Sequence, residues 1–257
     1  MFDLHADIAG LATILVMAGS VWLLSVIKHD VSIVDSAWSL FIAGAMLSYF
    51  LVLKTTAPRA WLTVILVATW AARLAIHITL RNWGEAEDKR YQAIRERNQP
   101  NFVFKSLYLV FGLQAVLSWI VSLPVLAAIA SSSQPNWLDA FGLAVFIFGF
   151  LFEATADFQL SRFKGDTTNQ GRVMDRGLWR YTRHPNYFGE FCVWWGIYLL
   201  ALAAGGWWSV VSPLLMSLLL MRISGVVLLE KDIHLRRPGY RDYVARTPAF
   251  FPRVPRK

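Results

Sequence analysis

The residues of this 257-residue chain best equipped for chemistry sit where an apolar sequence would least accommodate them. The stretch "GLWRYTRHPNYFGE", residues 177–190, holds two arginines, a glutamate, a histidine, an asparagine and two tyrosines, and apolar sequence follows at once, "FCVWWGIYLLALAAGG". His184 precedes Pro185 and so avoids the α region, which ends any helix arriving from the N-terminal side. Asn186 is then expected as the N-cap of the next helix, with Tyr187 opening it and Glu190 on the same face as Asn186. A helix N-terminus beside Arg180, Arg183 and His184 makes an anion receptor, because free N–H groups and the helix dipole add to the side-chain charge. Membrane anchoring alone would not need Tyr181, Asn186 or Glu190 in fixed places.

Other ionisable groups fall inside apolar runs, where each costs several kcal/mol unless paired or facing a cavity. Trp70, Arg73, His77 and Arg81 recur at helical spacing and lie within about 80° of one another, one stripe of one face. Glu153, Asp157 and Lys164 fall within about 40°. Asp35 and Trp38 stand three apart at the start of another run, and a later one carries Arg222 with Glu230 at its end. Simple buried pairs, such as Arg73 with Glu153 or Asp35, would hold helices in register. Stripes on several helices, all toward one end of their spans, predict a polar cavity open on the cytoplasmic side. The arginines and lysines around it suit a polyanion, and arginine's planar fork suits phosphate.

The elements that must position these residues are membrane helices. The chain is 56% hydrophobic and only 16% charged, with twelve tryptophans, against ~25% charged for an ordinary soluble domain. Runs of ~20 apolar residues span a bilayer as helices. Seven are predicted, at 7–27, 33–53, 60–80, 104–130, 137–160, 187–205 and 207–229. The expected fold is all-α and polytopic, a single integral membrane domain over 1–257, with residues 1–136 on the substrate side and 137–257 on the cofactor side. With the N-terminus outside, the inner segments 28–32, 81–105, 161–186 and 230–257 hold 1, 6, 6 and 8 Lys/Arg, 21 of the 25. That asymmetry predicts an N-out, C-in orientation. The net charge of +8 therefore sets orientation and does not imply nucleic acid. The opening "MFDLHAD" lacks the basic start of a signal peptide, so the first run is expected to stay as an anchor.

Several site types are excluded. No two glycines stand two apart, so the dinucleotide fingerprint G-x-G-x-x-G is absent, as are the P-loop and the G-x-S-x-G elbow. The five histidines never fall at i, i+4, and no metal is expected. Cys192, the single cysteine, reads as a small buried hydrophobe.

"GLWRYTRHPNYFGE" followed by "WWGIYL", together with "FEATADFQLSRFKGD" and the C-terminal "LRRPGYRDYVARTPAFFP", resembles the signature of the steroid 5-alpha-reductase family. Related signatures occur in sterol reductases and in isoprenylcysteine carboxyl methyltransferases. The resemblance covers residues 145–257 well; the first 145 share only helix pattern and scattered positions. It implies NADPH as cofactor, with Asp157 and Lys164 near the nicotinamide dinucleotide, and Tyr181, Asn186, Tyr187, Gly189 and Glu190 in the family's tyrosine and N-[FY]-x-G-E positions. Arg73 matches an arginine of the third helix, His77 replaces a tyrosine of the animal enzymes, and Glu230 stands where they have another tyrosine. Their glutamate–tyrosine pair, which holds the steroid carbonyl, finds Asp35 and Trp70 as the nearest positions.

The implied reaction is reduction of a 3-oxo-4-ene steroid or similar enone lipid drawn from the bilayer. Asp35, kept protonated by desolvation, and His77 are the expected catalytic residues, with Asp35, Trp38, Trp70 and Glu153 lining the substrate. The dinucleotide is expected among Arg73, Asn82, Arg90, Tyr91, Asp157, Lys164, Arg172, Arg180, Tyr181, Arg183, His184, Asn186, Tyr187, Glu190 and Glu230. Residues 84–100 are predicted to form a short amphipathic helix, or alternatively a cap over the nucleotide through Arg90 and Tyr91. The tail is predicted to end in another short helix. A monomer in a bacterial inner membrane, its site open to the cytoplasm, completes the expectation. The rivals are an S-adenosylmethionine-dependent membrane methyltransferase and a non-catalytic lipid-binding or transport protein.

Overall fold

The computed structural model describes residues 2–223, 237 and 239–255. Among these the secondary structure is helical, with no strand. The chain divides into two compact units, Met1–Asn136 with Leu200–Ser209, and Trp137–Leu199 with Val210–Lys257.

The first unit is built from α1 (Leu4–Lys28), α2 (Ile33–Leu53), α3 (Pro58–Asn82), the short α4 (Lys89–Arg97) and α5 (Phe102–Ile129). Asp3 caps α1 by accepting from the Ala6 N–H, and Pro58 opens α3, where its fixed φ suits the first turn. The left-handed residues His29 and Lys54 end α1 and α2. Central α2 packs against α1, α3 and α5. Its buried face runs through Val34, Ala37, Phe41, Ile42, Ala45 and Tyr49.

Hydrophobic burial does not discriminate between helices in lipid, so polar contacts and close packing must fix partners. Asp7 accepts from the Trp119 indole at 2.9 Å, the Tyr49 and Ser122 hydroxyls meet at 2.7 Å, and Ser39 donates to the Ala71 carbonyl at 3.0 Å. At the other end of α3, fully buried Arg59 donates to Ser133 and to the carbonyls of Ser133 and Gln134, clamping the segment after α5.

The second unit contains α6 (Trp137–Gly165), α7 (Pro185–Ala203) as far as Leu199, α8 (Val211–Leu218), which continues as a π turn through Ile223, and α9 (Tyr240–Arg246). The buried side of α6 is a single stripe, Asp139, Gly142, Phe146, Gly149, Glu153, Ala156 and Asp157. Its glycines let α7 approach backbone to backbone. A Cβ on Gly189 would lie 2.5 Å from the Glu153 nitrogen, and one on Gly149 2.6 Å from the Gly189 carbonyl oxygen.

Five helices (α1, α2, α3, α5 and α6) are long and apolar enough to cross a membrane. The sixth predicted span, α7, is not among them, because Asn186, Tyr187, Glu190, Trp194 and Trp195 dilute its apolar run. The seventh is described only from Trp207 to Ile223 and is shorter. These apolar helices are those of a multi-pass integral membrane protein.

Candidate functional site

In the second unit the α6–α7 contact carries the polar ends of both helices together. The Asn186 amide donates to the Asp157 carboxylate at 3.2 Å. Asp157 and Glu190 are buried, as is His184, which stacks on Tyr187 with centroids 5.6 Å apart. Glu190 accepts from the Trp194 indole one turn along α7, at 3.0 Å. The expected N-cap role of Asn186 is not what the fold uses. The helix opens two residues before the expected Tyr187, with Pro185 in its first turn and the Phe188 N–H bonded to the His184 carbonyl. Proline's preset φ and missing N–H fit that position, which frees Asn186 to reach across to α6.

The 3₁₀ turn Gly177–Arg180 is pinned beside Asp157 from both sides in sequence. The Leu178 N–H donates to Gln159 Oε1 at 2.9 Å, and the Trp179 indole to the Ala156 carbonyl at 3.0 Å. Gly177 adopts φ +58°, and a Cβ there would meet the Gln159 amide at 2.5 Å. A non-glycine residue would therefore be strained and crowded together.

The C-terminal tail straps the same segment. The Arg183 N–H bonds the Pro248 carbonyl, the Arg253 N–H bonds the Tyr181 carbonyl, and the Thr182 hydroxyl donates to the Phe250 carbonyl. The Tyr243 hydroxyl donates to the Trp179 carbonyl. Arg183, assigned to phosphate by its neighbours in sequence, sends its guanidinium to the Thr247 carbonyl at 2.5 Å and is buried. That contact joins its side chain to the strap. Lys164, Arg172, Arg176, Arg180 and Tyr181 are exposed. Glu153 is buried one turn before Asp157 on the same stripe, and Glu230 lies outside the described residues.

In the first unit a second cluster forms around Asp35. The Tyr91 hydroxyl donates to Asp35 Oδ1 at 2.6 Å and Arg90 donates to Oδ2 at 2.8 Å, while Arg90 also bonds Asp88 at 3.0 Å. The predicted amphipathic helix over 84–100 is therefore α4, and Arg90 and Tyr91 face α2. Glu87 seats the helix by accepting from Arg95 at 2.7 Å and from the Val31 N–H at 2.9 Å. Burial pushes the Tyr91 hydroxyl well above the usual tyrosine range, and the Asp35 charge and hydrogen bond add to it. For Glu87, burial acts upward but is outweighed by the hydrogen bonds from Arg95 and Val31 and by the Arg95 charge, so it stays below the usual carboxylate range.

Asp35 thus accepts two hydrogen bonds, one from Arg90 and one from Tyr91, with which it forms the closer pair. Sequence reasoning had no signal for this pair, since 56 positions separate its members. Trp38, one turn above Asp35, meets Trp70 edge to face with centroids 6.3 Å apart. Trp70 is fully buried; Arg73, His77 and Asn82 continue α3 and are half-buried. Among the described residues no cluster of three or more His, Cys, Asp or Glu is arranged to hold a metal.

The glycines of the α6–α7 contact were missed as well. Their seven-residue spacing, Gly142 and Gly149 on α6 and Gly189 and Gly196 on α7, was the available signal.

An uncharacterized protein of Schizosaccharomyces pombe, C594.04c, is 25% identical to the chain, with 98% of this chain and 81% of that one covered. No solved structure matches. Residues 21–247 match the family described as a protein of unknown function, DUF1295. That match spans both clusters and nearly the whole chain: the protein belongs to the DUF1295 family, a membrane family related to steroid 5-alpha-reductases.

Proposed function

We propose that the protein is an NADPH-dependent reductase of the carbon–carbon double bond in a 3-oxo-4-ene steroid or similar enone lipid. The observation that carries this reading is the Asp157–Asn186 pair. Asp157, which the family resemblance brings to the nicotinamide dinucleotide, and Asn186, of the family's N-[FY]-x-G-E run, stand 29 residues apart in sequence and 3.2 Å apart in space. The donor set fits such a group: a carboxylate and an amide meet at the end of the stripe, and Arg172 and Arg180 remain exposed for a diphosphate. Asp157, Asn186, Lys164, Arg172, Arg180 and Tyr181 would hold it.

When bound, the dinucleotide supplies a hydride to the β-carbon of the enone. The chain's own task is then the charge that collects on the substrate oxygen as the enolate forms, and the proton that goes to the α-carbon. Tyr91 is the donor for that oxygen. Its single hydroxyl proton, held by Asp35 in the resting site, would turn to the substrate oxygen, while Arg90 keeps the Asp35 charge paired. The products are the saturated ketone and the oxidised dinucleotide, with one proton taken up.

Seven crossings and an N-out orientation form part of the proposal; the Lys/Arg asymmetry supports the orientation, and exposed Trp61 and Trp83 at the two ends of α3 suit the two membrane interfaces. Cys192 is buried, so introduced cysteines report cleanly. Thr55→Cys should react with an impermeant maleimide from outside, and Gln92→Cys only after permeabilisation. The reverse pattern refutes the orientation.

The cofactor assignment is tested by the thermal stability of detergent-purified protein with NADPH, NADH or S-adenosylmethionine added separately. A ligand at 100 times its Kd adds ~2.7 kcal/mol. A shift with NADPH that is lost in Asp157→Ala and Asn186→Ala supports the reading. A shift with S-adenosylmethionine alone replaces it with a methyltransferase.

A further inference from the structure

The C-terminal strap presents an outer side that none of its internal bonds uses. Phe250 is buried, but Phe251 and Val254 leave 58% and 75% of their surface exposed, and Arg253 between them is exposed as well. Phe251 is not an isolated apolar side chain. Its ring meets Phe188 and Phe191 of α7 with centroids 6.1 and 5.9 Å apart. Phe188 in turn meets Phe148 of α6 at 6.4 Å. Phe148 lies on the exposed apolar side of α6, a helix of membrane length, with Ile147 and Leu151 exposed beside it. A row of rings therefore joins the face that α6 turns to lipid with the tail, all of it within the second unit. Aromatic rings collect where hydrocarbon gives way to headgroups.

The charge around this row has one sign. From Tyr243 onward the sequence holds Arg246, Arg253, Arg256 and Lys257 and no Asp or Glu. Arg246 is paired with Asp175 at 3.6 Å. Arg253 is fixed through its backbone, whose N–H bonds the Tyr181 carbonyl. Its guanidinium makes no hydrogen bond or ion pair among the described residues. A long side chain anchored in this way can hold its charged head at a phosphate while apolar neighbours enter hydrocarbon.

We propose that residues 251–254 dock on the bilayer surface and that Arg253 takes the headgroup of an anionic phospholipid. Phe251 and Val254 enter the acyl boundary, and attraction of the basic tail to negative lipid adds to their burial. A second copy of the chain would need an acidic face to meet this tail, whereas an anionic leaflet supplies negative charge and hydrocarbon together. The same tail bonds Tyr181, Thr182 and Arg183, so bound lipid steadies the segment that leads into α7. This role is independent of the nucleotide and of the reaction.

The test uses the full-length protein with Val254→Cys carrying a fluorophore, reconstituted without nucleotide into phosphatidylcholine vesicles. Brominated phosphatidylglycerol or brominated phosphatidylcholine, with the bromines on the acyl chains, is then added as quencher. Both lipids are expected to quench the label, phosphatidylglycerol more strongly at low salt, with the difference fading at high salt as the charges are screened. Arg253→Gln should lower the preference for phosphatidylglycerol about fivefold, the equivalent of ~1 kcal/mol for one basic side chain at an anionic surface. Its thermal midpoint in detergent should not move, because the lost guanidinium holds nothing within the described residues. No quenching by either lipid, equal quenching by both, or a preference untouched by Arg253→Gln overturns the proposal. Energy transfer between labels on separate chains, in place of quenching, overturns it too and assigns the surface to a second copy.

Discussion

Replacing Tyr91 by phenylalanine is expected to lower the rate of enone reduction by ~10²–10³ at saturating NADPH, the usual effect of removing one donor to a developing oxyanion. The seat of α4 should survive the change, because Arg90 still bonds Asp35 and Asp88, and Glu87 still holds Arg95. The thermal midpoint should therefore move little while kcat falls. The pH dependence gives a second reading of the same residue. Burial first, and the Asp35 charge after it, raise the Tyr91 hydroxyl well above its ordinary value of 10.0. A group so raised keeps its proton as pH climbs through the ordinary tyrosine range, so the rate should show no loss there that is attributable to this donor. Full activity in Tyr91→Phe, with the protein folded, would remove Tyr91 from the mechanism.

The second large effect is structural. Gly189→Ala should push α6 and α7 apart, because the new methyl would sit 2.5 Å from the Glu153 nitrogen and 2.7 Å from the Gly149 carbonyl oxygen. Both neighbours are backbone, so no side chain can swing aside. Overpacking of this kind costs ~1–3 kcal/mol even in cores that can relax. The same displacement opens the Asp157–Asn186 contact, so the stabilisation by NADPH should vanish along with the lost stability. Gly19→Ala is the control: it lies within α1 with nothing inside 4 Å of the added methyl. Alanine there should be neutral or stabilising by ~0.5–1 kcal/mol, since it removes a glycine from a helix interior. Equal thermal midpoints for Gly189→Ala and Gly19→Ala would refute the account of the α6–α7 contact.

The helices and their polar ends are legible along the chain. Apolar runs of membrane length are long-range in composition but local in cause, and the described helices follow them closely, α2 over the predicted residues 33–53 and α6 from the predicted Trp137. Charge alternation over 84–100 was enough to predict α4, and periodicity was enough to put Glu153 and Asp157 on one face.

The partner of each polar group came from packing. The N-cap expectation for Asn186 failed because Pro185 fits the first turn better than any residue after it, and the freed amide then found Asp157 through the glycine contact of α6 and α7. Arg183 read as a phosphate ligand beside Arg180, and the fold buries its guanidinium against the Thr247 carbonyl of the returning tail. Asp35 read as a substrate-lining acid or a partner of Arg73, and α4 folds back to bring it Tyr91 and Arg90. Helix identity follows from nearest-neighbour chemistry along the chain, whereas a buried polar atom takes whichever partner packing delivers. That delivery depends on glycines and turns tens of residues away.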